Sequence, residues 1–179
     1  MNPNKNNLSV RRMTMSALLA AVYAALTVGL GFLSYESVQF RVAEALCVLP
    51  FFFPWTTWGL FLGCVIANLL SPAGVLDVVF GSLATLLSCL AVAALGRGGR
   101  QRRANCILAC LMPVLFNAVI VGAVITFALT APSAPSPVWL VFLVNALSVG
   151  AGEAVVLFAL GLPLLRLLPK SRIYPLLQS

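Results

Sequence analysis

The sequence predicts an all-α integral membrane protein of six transmembrane helices with both termini in the cytoplasm. Three observations lead there. Of 179 residues, 61% are hydrophobic and 8% charged, where a soluble domain carries roughly 45–50% and about 25%. Mean hydropathy is correspondingly high, at +1.06. Ten of the eleven Lys and Arg fall in three clusters between long apolar runs. In a soluble chain the net charge of +7 would suggest nucleic acid. Here the cations flank membrane segments, so the bilayer is the expected partner and nucleic acid is not.

Crossing ~30 Å of hydrocarbon takes about 20 apolar residues at ~1.5 Å each. The first run, 13–33, carries no charge. It is longer than the ~7–15 apolar residues of a signal peptide and no small-x-small cleavage site follows, so it reads as a retained helix. The stretch Val42–Leu70, broken by Pro50, Pro54 and Thr56-Thr57, is either one kinked helix or two short ones. Charge decides between them. Lys5, Arg11 and Arg12, then Arg97, Arg100, Arg102 and Arg103, then Arg166, Lys170 and Arg172 form the clusters. Short loops rich in Lys and Arg stay inside, and all three clusters share that side only if the stretch turns back near Pro54–Thr57. The expected spans are therefore 13–33, 41–54, 57–71, 74–95, 106–130 and 138–168, in a single membrane domain of the plasma membrane. The Pro-rich loop 131–137 reads equally as a lid or a stiff connector, and no internal repeat is evident.

Composition also limits the chemistry. The chain has no His and no close pair of acids, so an intramembrane enzyme lacks its machinery. There is no G-x-x-x-x-G-K-[ST] motif, so any ATP must be hydrolysed elsewhere. The five cysteines, Cys47, Cys64, Cys89, Cys106 and Cys110, have no paired spacing and read as small apolar packing residues. Neither a metal nor a cofactor is expected.

Ionisable residues inside a membrane are costly and point to function. Only four acids exist: Glu36, Glu44, Asp77 and Glu153. At ~1.5 Å per residue, Glu153 stands about 20 Å from Arg166, Asn117 about 20 Å from Arg103, and Asp77 roughly 30 Å from Arg97. Asn68, Glu44 and Arg41 stand about 18 to 22 Å above the turn near Thr56. Polar groups from five spans thus reach one outer half of the bilayer. Each also has a plainer reading. Arg41 and Glu44, three apart, could neutralise each other. Asp77 could serve a helix start. Asn68, Asn117 and Asn145 could be interhelical hydrogen-bonding groups. Glu153, beside Gly150 and Gly152, has no cation near it in sequence. On the first span Ala17, Ala21, Ala25 and Gly29 recur every four residues, a flat ridge suited to close packing against either this chain or a second subunit.

These residues sit in segments that resemble the queuosine-precursor transporter family, S components of energy-coupling-factor (ECF) transporters. The carrying segments are VQFRVAEALCVLPFF (38–52), LLSPAGVLDVVFGSLATL (69–86), LFNAVIVG (115–122) and NALSVGAGEAVVLFALGLPLL (145–165). The resemblance spans about 13–168. It implies an ECF S-component-like fold, with an outward-opening pocket, that docks on a transmembrane coupling subunit and two ATPase subunits. The helix-1 ridge of Ala17, Ala21 and Ala25 would face the coupling subunit. The implied small-molecule substrate is a 7-deazaguanine such as queuine or its aminomethyl relative. Glu153 or Asp77 would take its N–H edge, and another carboxylate, with Glu44 and Asn68 nearby, its amine. Arg41, Asn117 or Asn145 would donate to its carbonyl, and Phe40, Trp139 or Tyr35 would stack on the ring. An S component for another vitamin or base, or a self-sufficient carrier, are the alternatives.

Overall fold

Apolar runs in lipid must satisfy their backbone internally, and helices do so within one segment. The protein, analysed as a computed structural model, is described over residues 3–31, 40–71, 74–98, 103–130 and 136–178. Every regular element among these is helical. Helix α1 is Pro3–Gly29, beginning ten residues before the apolar run because nothing between Pro3 and Met13 breaks a helix. The stretch Val42–Leu70 is two segments: a 3-10 helix, Val42–Phe51, and α2, Thr56–Asn68. Pro54 forces the turn between them, and the Thr56 hydroxyl donates to the Phe53 carbonyl at 2.8 Å to start α2. A widened π turn, Asp77–Gly81, leads into α3, Ser82–Arg97. Helix α4, Arg103–Ile125, ends in a second π turn, Thr126–Thr130. Helix α5, Val138–Val156, passes through a third, Leu157–Gly161, into α6, Leu162–Leu167. A 3-10 turn, Leu168–Lys170, and the short α7, Ile173–Gln178, follow; α7 lies beyond the last expected span.

Four helical stretches are long and apolar enough to cross a membrane: Val10–Gly29, Asp77–Arg97, Arg103–Ala128 and Val138–Lys170. The 3-10 helix, 10 residues long, covers about 20 Å at ~2.0 Å per residue. Helix α2, with 13 residues, covers about the same at ~1.5 Å. These two run in opposite directions through the bundle. The backbone of Phe51 lies against Gly96, near the arginine end of α3, while the Asn68 amide reaches the Asp77 carbonyl at the other end.

Small residues set the helix crossings, as expected where helices associate by close packing rather than by expelling water. A Cβ on Gly63 of α2 would lie 2.7 Å from the Ala20 carbonyl oxygen and 2.9 Å from Tyr23 Cβ, so α1 and α2 touch backbone to backbone. Gly122 meets Ala146 in the same manner where α4 crosses α5. The other helix faces carry exposed Val22, Leu62, Ile66, Leu115, Val119, Leu143, Leu147 and Val155, an apolar belt of the kind lipid covers. Inside, Phe51, Phe52 and Phe53 gather with Tyr174 at the arginine end. Cys47, Cys64 and Cys89 pack with Tyr23 and Leu60 in the middle. All five cysteines are free thiols, and no cluster able to hold a metal occurs among the described residues.

Candidate functional site

Helix α1 turns one face into the bundle, and its Tyr23 is fully buried. The Tyr23 hydroxyl donates to Glu44 Oε1 in a short hydrogen bond. Thr85 of α3 donates to the same oxygen at 3.2 Å. Glu44 is thus held by two helices other than its own. Arg41, at the start of the 3-10 helix, donates from Nη2 to Asp77 Oδ2 at 3.1 Å. The direct ion pair of Arg41 among the described residues is thus with Asp77 of another helix and not with Glu44 three residues on. The guanidinium bridges to another helix, and hydroxyls hold Glu44. Asp77 does stand in the first turn of its helical segment, where a carboxylate suits the helix dipole, and its side chain also accepts from Arg41.

Asn68, the last residue of α2, ties this group together. Its amide donates to the Asp77 carbonyl at 3.0 Å and to Ser82 Oγ at 3.4 Å. Gly81, in the π turn, makes room for it. A Cβ there would stand 2.5 Å from Asp77 Oδ1 and 2.9 Å from Asn68 Nδ2. The turn also widens the helix at the point where Asp77 enters the site, a common use of π turns. From the opposite side, Asn117 of α4 donates to Glu153 Oε1 of α5 at 3.1 Å. Glu153 lies near enough to Glu44 and Arg41 for their charges to act on it. Arg41, Glu44, Asn68, Asp77, Asn117 and Glu153 are each at most 3% exposed.

The arrangement is too expensive to be a stability device. It buries three carboxyl groups against one guanidinium. Among the described residues Glu44 Oε2, Asn68 Oδ1, Asp77 Oδ1, Asn117 Oδ1 and Glu153 Oε2 have no hydrogen-bond partner. Each buried polar atom left so costs about 1–3 kcal/mol, more when charged. All five atoms are acceptors. A cluster of this kind suits a ligand rich in N–H groups, positively charged or neutral, and repels an anion.

Three expected contributors stand apart. Asn145 donates to Thr126 Oγ1 at 3.0 Å, across the α4–α5 crossing. Phe40 is half-buried and packs against the main apolar core. Trp139, in the first turn of α5, is 68% exposed. Tyr35, Glu36 and the Pro-rich loop 131–135 lie outside the described residues. Sequence reasoning missed Tyr23, Thr85 and Gly81. A hydroxyl in an apolar run is a weak signal, and the partner of Tyr23 is 21 residues away. On α1, Ala17, Ala21 and Ala25 are exposed while Ala20 and Tyr23 are buried. The packing with α2 therefore uses the neighbouring stripe and leaves the expected ridge on the outside.

Comparison with known proteins agrees with this architecture. The model of the QueT transporter family matches residues 13–170. A curated relative, the queuosine precursor transporter QueT of Lactococcus lactis subsp. cremoris (strain MG1363), is 42% identical over 73 residues. The matched stretch is 40% of this chain and 43% of that relative, so the similarity spans less than half of its length. No solved structure is significantly similar to the chain. With several apolar helices long enough to cross a bilayer and a family match over most of its residues, this multi-pass membrane protein belongs to the QueT transporter family.

Proposed function

We propose that the chain is the substrate-binding membrane subunit, the S component, of an ECF-type importer for a queuosine precursor, a 7-deazaguanine such as queuine or its aminomethyl relative. One observation carries the reading. Glu44, Asn68, Asp77, Asn117 and Glu153 each keep a buried acceptor without a partner among the described residues, and the cation paired with them is Arg41, on Asp77. A deazaguanine offers the complement: a row of N–H donors on its base edge, a carbonyl for an N–H donor, and an amine in the aminomethyl form. The name of the Lactococcus lactis relative supports the same substrate.

In this reading Glu153 accepts from the N–H edge and Asn117 holds it in place. Asp77 and Glu44 face the amine, with Asn68 fixing the position of Asp77. Arg41 or Asn145 donates to the carbonyl, and Phe40 or Trp139 closes over the base on binding. The chain crosses the membrane six times with both termini cytoplasmic, and captures substrate from outside. A coupling subunit with two ATPases then reorients the whole S component. The exposed Ala17, Ala21 and Ala25 stripe is its docking ridge.

The deciding experiment is mass spectrometry of the small molecule that co-purifies with the protein, together with titration of Glu153→Gln. The amide keeps the shape but exchanges one acceptor for a donor. Binding of the deazaguanine should weaken by ~2 kcal/mol or more, roughly 30-fold. An unchanged dissociation constant removes Glu153 from the site, and a different bound molecule reassigns the substrate.

A further inference from the structure

At the opposite end of the bundle from the carboxylates, a cavity of about 490 Å³ opens between α4 and the segment following α5. Arg103, Arg166 and Lys170 line it, together with Phe52, Leu165 and Pro169. The three cations come from separate stretches: the first residue of α4, the helix α6, and the 3-10 turn that ends at Lys170. All three are exposed. Like charges gathered in one concavity repel. No acid offsets them within the described residues. Glu44, Asp77 and Glu153 belong to the other end, and the ion pair there is Arg41–Asp77. The 21-residue stretch Asp77–Arg97 separates the two ends by about 30 Å.

We propose that this cavity binds the headgroup of an anionic phospholipid, with its phosphate on Arg103, Arg166 and Lys170. Two features select a lipid over a soluble anion. The floor and walls are apolar at Phe52, Leu165 and Pro169, where a free phosphate finds no partner and the first acyl carbons do. Beside the lining residues in sequence, Ile107, Leu108 and Leu167 are 41%, 40% and 62% exposed, apolar side chains of the kind that face acyl chains. Arg103 begins a membrane-spanning helix, which places it at headgroup depth. Basic pockets between spanning helices at this level suit lipid phosphates. The site is independent of the substrate reading, since it shares no residue with the carboxylate cluster.

The test is native mass spectrometry of the detergent-purified protein with added phosphatidylglycerol or phosphatidylcholine. Phosphatidylglycerol should remain bound under activation that strips phosphatidylcholine. A cation near the surface contributes about 1 kcal/mol, so Arg166→Gln and Lys170→Gln should each weaken retention about fivefold. The triple variant with Arg103→Gln should lose it about a hundredfold. Arg97→Gln, exposed at the same end but outside the cavity, should retain the lipid. Equal retention of both lipids, or full retention by the single variants, overturns the proposal. So does displacement of the lipid by millimolar inorganic phosphate, which would make this a small-anion site. The single variants keep the test decisive if the triple variant does not fold.

Discussion

Tyr23 is the residue through which α1 touches the buried carboxylates. Its hydroxyl and that of Thr85 both donate to Glu44 Oε1, which leaves Oε2 for another partner. A hydrogen bond of this kind contributes about 1–2 kcal/mol, so two of them hold Glu44 firmly enough to preorganise it. Tyr23→Phe removes one donor without changing shape. It should lower thermal stability in detergent by about 1–2 kcal/mol and weaken ligand binding by a similar factor, because Glu44 gains freedom. A melting curve and a titration identical to the parent's would separate Tyr23 from the site. At this scale the acids were legible in the sequence: a carboxylate in an apolar run is costly wherever it points. Tyr23 was not, because tyrosines are common near membrane interfaces and only the fold brings it to Glu44.

At the scale of elements, α1 presents two small-residue stripes and uses them differently. The stripe with Ala20 and Tyr23 meets Gly63 of α2 at backbone distance. Gly63→Leu has no space to enter, since its neighbours there are the Ala20 backbone and the Tyr23 Cβ. It should cost about 1–3 kcal/mol and break the Tyr23–Glu44 bond by displacing α1; an unaltered melting temperature would contradict that packing. The second stripe, Ala17, Ala21 and Ala25, is exposed. Under the docking proposal, Ala21→Trp should abolish uptake in cells while isolated protein binds substrate normally. Uptake that survives the change would remove α1 from the docking surface. Spacing every four residues predicted a ridge but not its use, since either stripe could meet a neighbour until α2 is placed. The ten-residue 3-10 helix was likewise hidden: 3-10 and α backbones share their local preferences, and its surroundings choose between them. Runs of 3-10 beyond three or four residues are uncommon, and this one carries Arg41 and Glu44 into the bundle.

For the whole molecule, the division of charge governs the architecture. Among the described residues Arg97, Arg103, Arg166 and Lys170 gather at one end, and the buried acids stand toward the other. Under the proposed topology this polarity places both termini in the cytoplasm, where short loops carry an excess of Lys and Arg. Reporter fusions at residues 1 and 179 should both report cytoplasm. One fusion on each side would reduce the crossings to an odd number and undo the reading of the 3-10 helix and α2 as a returning pair.

Membrane class, helical content and the list of costly polar residues could be read before any coordinates. Transfer from water to lipid is paid residue by residue, so composition and run length suffice for it. Which groups meet is a different kind of fact. Arg41 pairs with Asp77 rather than Glu44, Asn117 with Glu153, and Asn145 with Thr126. Each of these contacts joins separate helices, and one-dimensional spacing contains no distance between helices. The tertiary structure supplied that distance through the close crossings at Gly63 and Gly122. Those crossings turn scattered polar residues into a cluster and send the alanine stripe outward.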